Sequence, residues 1–421
     1  MSSTPACSIT GSHYTPRLSL WPAFGFGLSM ALANGLGRFA YALLLPGMSA
    51  DLHWSYAQAG WLNSANALGY VLGAASGYLL LRRFSARLLF VVGLWLCFLT
   101  LAVTGLSANI GWLSTQRILN GIGAAWVSAC GIALVLFYYR HAARQRGAAT
   151  GLFFGGAGIG IVLSGFLVNP LLAIIGNSAW PTAWLALGVA GAIAAIWPLR
   201  LAQCTDEAAV TKTVTVTENM TEPLPLAHLG VCLVAYFFFA TSYIIYMTFI
   251  FAWIRGQGLS WQFGTAAWTL LGVAILVSAF LWQRPLSRLP GAQILSISCG
   301  VTLLGTLIPL IGGHISVLTS SVVFGVSVFI APAAIAVLLR QNLAASRFAQ
   351  AMALFNLSFA IGQTIGPYAA GALSDHYGLN SSLWLGTALL GVAAILPWLV
   401  RTPAAARRAI KADRRLREGN V

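Results

Sequence analysis

The chain has 421 residues, of which 58% are hydrophobic and 7% are charged, and its formal net charge is +15. Soluble domains carry about 25% charged residues, so the composition argues against a water-soluble enzyme, a secreted scaffold or a DNA-binding domain. It indicates a membrane protein.

A helix needs roughly 20 apolar residues to cross a bilayer, and glycine or proline does not exclude a helix there. Twelve apolar runs of about this length follow one another along the chain, and their hydrophobicity on all sides is typical of membrane helices. We predict a transmembrane helix for each run, at about 18–46, 57–81, 87–107, 111–138, 148–175, 180–201, 227–254, 262–283, 291–312, 315–339, 348–373 and 382–400.

The basic residues predict the orientation. All but three of the 23 Lys and Arg residues share one side of the membrane if the N-terminus is inside. The exceptions are Arg255 in an outer loop, and Arg38 and Arg117 within predicted helices. Basic residues accumulate in cytoplasmic loops, so we predict a multi-pass protein of the plasma (inner) membrane with both termini cytoplasmic. Its surroundings are then the lipid bilayer, and the charge requires no nucleic acid.

The longest internal polar stretch divides the helices six to six. A shift of 202 residues also places Tyr41 on Tyr243 and Gly160 on Gly362, which indicates a duplicated six-helix unit. We predict an all-α membrane protein in which twelve transmembrane helices form two six-helix bundles. The predicted regions are a cytoplasmic N-terminal segment 1–17, an N-terminal bundle 18–201, a cytoplasmic linker 202–225, a C-terminal bundle 226–400 and a basic cytoplasmic tail 401–421.

Three segments resemble motifs of the major facilitator superfamily. The fourth predicted helix contains RILNGIGAA from Arg117, which is similar to the RxxxGxGxA pattern, and the fifth is rich in glycine over 151–165. The eleventh ends with GALSDHYG over 371–378, which includes Asp375. The loop after the second helix departs from the usual GxLxDRxGR, because Leu81 replaces the aspartate. The stretch GLGRFAY over 35–41 resembles the YbfB/YjiJ branch of the superfamily.

This resemblance implies the major facilitator fold and transport of a small molecule by alternating access, without a cofactor; we expect a monomer. It also implies a role in coupling or gating for the motif residues Arg117, Asn120, Arg82, Arg83 and Asp375. For Arg117 a structural role, in which it bonds neighbouring helices, is an equal alternative.

Arg38 is the leading candidate for substrate binding. None of the eight acidic residues lies inside a predicted helix, so the two intramembrane arginines lack a carboxylate there. Charges at this depth are costly and usually functional, and an arginine fork binds carboxylates bidentately. Asn34 and Tyr41, at i−4 and i+3, should share its helical face. The alternative is an arginine that snorkels towards the membrane surface or bonds carbonyls of a neighbouring helix.

The second half offers polar residues that could orient a ligand or merely join helices. They are Tyr243 and Tyr246 in the seventh helix, and Asn356 and Gln363 in the eleventh.

These features favour a secondary transporter for a small organic anion, such as a carboxylate. The alternative is a proton-coupled exporter of drug-like or sugar-like compounds. A membrane enzyme is disfavoured because acid–base pairs are lacking, and a receptor because the outer loops are short. The histidines are scattered at helix ends and loops, so no metal site is expected, and no Walker lysine follows the glycines.

Overall fold

The computed structural model describes residues 19–142, 145–203 and 226–399, and these residues form helices without any strand. The predicted N-terminal segment 1–17 and the tail 401–421 lie outside the described residues, as does the linker 202–225 except for its first two positions.

Twelve helical segments fall where the sequence predicts them. We number them α1 (Trp21–Asp51), α2 (Tyr56–Leu80), α3 (Ala86–Thr104), α4 (Ile110–Tyr138), α5 (Arg146–Ile175), α6 (Trp180–Gln203), α7 (Leu226–Gly256), α8 (Trp261–Leu281), α9 (Gly291–Leu307), α10 (His314–Asn342), α11 (Ala345–Tyr377) and α12 (Asn380–Ile395). A turn divides α10 into His314–Gly325 and Ile330–Asn342, and a short helix, Gln283–Arg288, precedes α9.

Ten of these segments are long and apolar enough to cross a membrane by length and composition alone. The other two are α2, with 25 residues, and α11, with 33. Both are long enough, but polar residues such as Asn63, Asn66 and Gln363 lower their hydropathy. These two helices pack against each other, and Asn63, Asn66 and Gln363 are buried between helices.

Side-chain caps begin several helices within very short loops. The Ser55 hydroxyl accepts a hydrogen bond from the Gln58 backbone N–H (3.2 Å), and the Gln58 side chain accepts one from the Ser55 N–H (3.0 Å). This capping box satisfies backbone donors at the start of α2. Ser85, Asn109 and Ser260 cap α3, α4 and α8 in the same manner, each through a side-chain oxygen that accepts from a backbone N–H.

The middle of α1 is a π-helix over Ala31–Phe39. Its last turn is closed by the Ala40 N–H, which donates to the carbonyl oxygen of Gly35 at 3.0 Å. Such i→i+5 turns are rare and are frequently found at functional sites. Because the turns are wider than in an α-helix, residues spaced for one face of an α-helix need not share a face here.

Two six-helix bundles meet along α2–α11, α5–α8 and α1–α7. Glycine permits the closest approaches: a Cβ added to Gly158 on α5 would lie 2.5 Å from the carbonyl oxygen of Gly272 on α8. The repeat is visible in the packing, since Gly160 brings α5 against α1 and Gly362, 202 residues later, brings α11 against α7. The fold is the predicted one.

The two ends of the molecule differ in how the bundles are joined. We call the end with the α1–α2 loop the outer end and the end with the α2–α3 loop the inner end. At the outer end the α2 amides of Tyr56 and Ala57 bond to Asp375 of α11, and deeper inside Asn63 of α2 donates to Thr248 of α7. The bundles are therefore linked by hydrogen bonds from the outer end inward to Arg38, described next.

Candidate functional site

Arg38 lies at the interface between the bundles, near the C-terminal end of the π-helical stretch of α1. It is 5% exposed, and its Nη2 donates to Oε1 of Gln363 on α11 at 2.7 Å. Its Nε is buried and has no hydrogen-bond partner among the described residues. The guanidinium carbon lies 6.0 Å from the ring centroids of both Phe39 and Tyr70. This arginine therefore keeps one strong donor available.

Gln363 connects Arg38 to α7. Its amide nitrogen donates to the Tyr243 hydroxyl, so three of the predicted binding residues form one chain of hydrogen bonds across the bundle interface. All three are buried, with Gln363 and Tyr243 each 2% exposed. The structure thus joins Arg38 to a glutamine that is more than 300 positions away in the sequence.

Tyr41 lies elsewhere, within the N-terminal bundle. Its hydroxyl donates to the carbonyl oxygen of Ala59 at 2.7 Å, and its ring stacks on Trp184. The guanidinium of Arg117, rather than that of Arg38, lies over this ring, at 5.1 Å. The expectation that Tyr41 and Arg38 share a face assumes an α-helix, and the π-helical turns before Tyr41 change that register.

The other predicted binding residues are distributed around the interface. Asn34, on the π-helical stretch with Arg38, is half-buried, and its amide contacts the Met30 sulfur at 3.7 Å. Tyr246 lies inside the C-terminal bundle, where it shares a hydrogen bond with Ser320 (2.5 Å) and stacks on Phe324. Asn356 is exposed on α11, two helical turns from Gln363 towards the inner end.

Arg117 on α4 is 1% exposed and is held by backbone carbonyls. Its guanidinium donates to the carbonyl oxygens of Gly37 (2.5 Å), Arg38 (3.4 Å) and Leu62 (3.4 Å). Two of these acceptors lie where the π-helix ends. The geometry agrees with the structural alternative, in which Arg117 fixes α1 and α2 around α4.

Asn120 is part of the same packing. Its amide donates to the carbonyl oxygen of Cys97 and to the Thr100 hydroxyl, both at 3.1 Å, and its oxygen accepts from Asn66. These contacts stay within the N-terminal bundle. They join α4 to α2 and α3.

The remaining predicted gating residues occupy opposite ends of the molecule. Arg82 and Arg83 are exposed at the inner end, where Arg82 donates to the Tyr78 hydroxyl at 3.1 Å, while Leu81 beside them is buried. Asp375 is at the outer end, and its two oxygens accept from the N–H groups of Tyr56 (2.6 Å) and Ala57 (3.0 Å). A carboxylate at a helix N-terminus is stabilised by the helix dipole. Asp375 thereby caps α2 from the other bundle.

The carboxylates of the described residues are Asp51 and Asp375. Asp51 accepts from the Trp180 indole at 2.8 Å, and Asp375 caps α2 as above. Both lie at the outer end, so within the described chain the two buried arginines have no carboxylate partner. The same residues contain no group of three or more His, Cys, Asp or Glu side chains that could hold a metal.

Aromatic neighbours of Arg38 are the part of the site that sequence reasoning missed. Phe39 contacts Phe329 of α10 (ring centroids 5.8 Å apart), and Tyr243 stacks on Phe359 of α11 (5.7 Å). Tyr70 of α2 completes the surroundings. Aromatic residues make up 12% of the chain, so no sequence signal distinguishes these rings from packing residues.

The two six-helix bundles, joined by a polar chain at their interface, have the architecture of a multi-pass membrane protein with the major facilitator fold. The chain belongs to the family described as "Uncharacterised MFS-type transporter YbfB", which it matches over residues 30–398. The match confirms the resemblance inferred from the motifs. It also shows that the chain is a transporter of small molecules rather than an enzyme.

Known transporters share the fold at low sequence identity. A D-xylose–proton symporter superposes with a TM-score of 0.71 at 15% identity (91% of this chain, 97% of that one). The nucleoside transporter NupG gives 0.68 at 13% (90% and 98%). An inward-facing, unoccupied bacterial homologue of the human lysosomal transporter Spinster gives 0.66 at 16% (94% and 98%).

One curated relative is similar in sequence over part of its length. It is a probable L-galactonate transporter of Escherichia coli (strain K12), 26% identical over 166 residues. The match covers 39% of this chain and 36% of that protein.

Proposed function

We propose that the protein is a secondary active transporter of a small organic anion, such as a carboxylate, and that it works by alternating access. The observation that carries this proposal is Arg38, a buried guanidinium between the bundles with an unpaired Nε and no carboxylate partner in the described chain. A buried charge without a partner is strongly unfavourable. A ligand carboxylate would supply the missing charge.

The chemistry of arginine supports an anion of this kind. The guanidinium is planar and always charged, and its fork matches the two oxygens of a carboxylate. Gln363 already occupies one donor on Nη2, so the Nε edge remains for the ligand. In this proposal Gln363 and Tyr243 orient the guanidinium, and both bundles contact the cargo through one chain of hydrogen bonds.

The same contacts suggest how alternating access would proceed. The hydrogen bonds of Asp375 with Tyr56 and Ala57, of Asn63 with Thr248 and of Arg38 with Gln363 all join one bundle to the other. Opening the outer end requires that the Asp375 contacts break. Cargo that binds the Nε edge of Arg38, with Gln363 still bonded to Nη2, would contact a residue pair that joins the bundles, and so couple binding to bundle movement.

The L-galactonate transporter supports an anionic cargo because galactonate carries a carboxylate. Its match is limited to about a third of its length, so this relative adds the class of cargo and not its identity.

Matched ligands test the proposal. Purified protein is titrated by calorimetry with L-galactonate, phenylacetate and lactate, and in parallel with their respective neutral counterparts galactitol, 2-phenylethanol and propane-1,2-diol. We expect at least one carboxylate to bind and its neutral counterpart not to bind. Counterflow in vesicles should then follow the same preference. Binding of neutral compounds alone would refute the anion proposal and favour the sugar-like or drug-like alternative.

We also propose the predicted topology: five regions with the boundaries given above, both termini and the linker cytoplasmic, in the plasma (inner) membrane, and a monomer. The basic residues at the inner end support the orientation. A cysteine introduced by Thr215→Cys should resist an impermeant thiol reagent in intact cells, whereas Ala108→Cys in the α3–α4 loop should react. Labelling of position 215 from outside would reverse the topology.

A further inference from the structure

Aromatic rings from both bundles converge on Arg38. We call Phe39, Tyr70, Phe239, Tyr243, Phe329 and Phe359 the aromatic wall. Phe39 and Tyr70 lie 6.0 Å from the Arg38 guanidinium carbon, and Phe329 lies 5.8 Å from Phe39. On the other side Tyr243 stacks on Phe359 at 5.7 Å and on Phe239 at 5.3 Å. Apart from the guanidinium, the Gln363 amide and the hydroxyls of Tyr70 and Tyr243, the immediate surroundings are therefore aromatic.

The rings of the aromatic wall differ in exposure. Phe39, Phe239 and Tyr243 are buried, with exposed fractions of 4%, 1% and 2%. The other three rings, which come from α2, α10 and α11, are partly exposed. A planar or apolar ligand could thus lie against rings of both bundles. Stacked or edge-to-face aromatic pairs are favourable beyond the area that they bury.

The polar groups near Arg38 are too few for a polyhydroxylated cargo. Gln363 and Tyr243 already bond to each other, and Gln363 also bonds to Arg38. Among Arg38, Gln363 and Tyr243, the buried polar atom without a partner in the described chain is Arg38 Nε. The next, Asn63 Oδ1, lies seven residues from Tyr70 along α2, or about 10 Å. Sites that select hydroxyl groups provide a polar partner for them.

From this balance we infer that the cargo is a monocarboxylate with an aromatic or other flat apolar body and few hydroxyl groups, rather than a sugar acid. The carboxylate binds the Nε edge of Arg38, and the ring lies against Tyr70, Phe329 and Phe359. This inference rests on the proposed function. It specifies the body of the cargo, because Arg38 indicates only the carboxylate.

The test compares phenylacetate, acetate and L-galactonate on the purified protein by calorimetry, with 2-phenylethanol as the ring without the charge. We expect phenylacetate to bind at least tenfold more tightly than either galactonate or acetate, and 2-phenylethanol to bind weakly. Tighter binding of galactonate would overturn the inference while leaving the proposed function intact. If no carboxylate binds, both the inference and the proposed function are overturned.

A variant series assigns the effect to the aromatic wall. Phe359→Leu keeps an apolar side chain of similar size, and we expect it to weaken phenylacetate three- to tenfold while acetate affinity stays constant. Phe280→Leu is the matched control, because Phe280 is 59% exposed on α8, and it should leave both affinities unchanged. An equal loss for acetate and phenylacetate in Phe359→Leu would contradict a ring-binding role. Thermal unfolding of each variant separates loss of binding from loss of folding.

Discussion

Arg38 and Arg117 are two buried arginines in direct contact, yet their surroundings differ. Arg117 lies inside the N-terminal bundle and donates to three backbone carbonyls, with the rings of Tyr41 and Trp184 beside its guanidinium. Arg38 lies between the bundles and bonds to the Gln363 side chain, and its Nε has no partner in the described chain. The comparison shows that burial of a charge does not by itself indicate a binding site. What distinguishes Arg38 is that its unpaired donor belongs to a charged group at the interface between the bundles.

The largest expected effect concerns Arg38. Arg38→Ala should lower the affinity for a bound carboxylate by about 2–5 kcal/mol, or roughly 30- to 5000-fold, because that charge loses its partner. Arg38→Lys should fall between the wild type and Arg38→Ala, since an ammonium cannot form the bidentate pair. Calorimetry with the tightest-binding carboxylate measures both. Arg284→Ala, which removes an exposed arginine at the inner end after α8, is the control. Wild-type affinity in a folded Arg38→Ala protein would leave Arg38 with a structural role only.

The second prediction is that a change at Arg117 lowers stability and transport rather than ligand affinity. Arg117→Lys keeps the charge but cannot reach all three carbonyls, and each buried carbonyl left unpaired costs about 1–3 kcal/mol. We expect a lower unfolding temperature in detergent, near-normal ligand affinity in the folded fraction and impaired transport. Arg38→Lys should show the opposite pattern, with weakened binding and little change in unfolding. If both variants lose affinity without loss of stability, the contrast between the two arginines is wrong.

Much of this architecture can be predicted from the sequence because apolar runs are long and charge is rare. Twelve apolar runs predict twelve helices, and an arginine in such a run is conspicuous. Gln363 is harder to single out, because α11 also contains Asn356 and Thr364, and its bond to Arg38 requires the structure. Which partner Tyr41 takes is not accessible, because nothing in the sequence indicates that α1 becomes π-helical over Ala31–Phe39.

The outer-end contact could not be predicted for a different reason. Asp375 is part of a recognisable motif, but its hydrogen-bond donors are the backbone N–H groups of Tyr56 and Ala57. Almost any residue would supply those groups, so the sequence carries no trace of the pairing. The pairing of Asp375 with α2 depends on how the two bundles pack at the outer end.

The third prediction tests the bundle interface at that outer contact. Removing a carboxylate cap from a helix N-terminus costs about 1–2 kcal/mol, so Asp375→Ala should shift the population towards an open outer end by roughly five- to thirtyfold. Distances between spin labels at the outer ends of α2 and α11 measure the shift. Asp51→Ala is the matched control, because Asp51 is also at the outer end but bonds within its own bundle, to Trp180. Equal shifts in both variants would mean that the Asp375 contact does not hold the outer end closed.

The smallest expected effect concerns Tyr41 and Tyr243, which are related by the 202-residue repeat. It compares a hydrogen bond inside one bundle with a hydrogen bond between the bundles. Tyr41 donates to the Ala59 carbonyl within the N-terminal bundle, and Tyr243 bonds to Gln363 between the bundles. A hydrogen bond of this kind contributes about 0.5–1.5 kcal/mol. Tyr41→Phe should therefore lower stability slightly and leave ligand affinity unchanged, whereas Tyr243→Phe should weaken binding two- to tenfold, because Gln363 then orients Arg38 less well. Each variant keeps its ring, so packing is preserved and the two serve as controls for each other. The same measurements, calorimetry and thermal unfolding, apply to both. A symmetric outcome, in which both tyrosines affect binding alike, would mean that the duplicated halves contribute equivalent positions to the site.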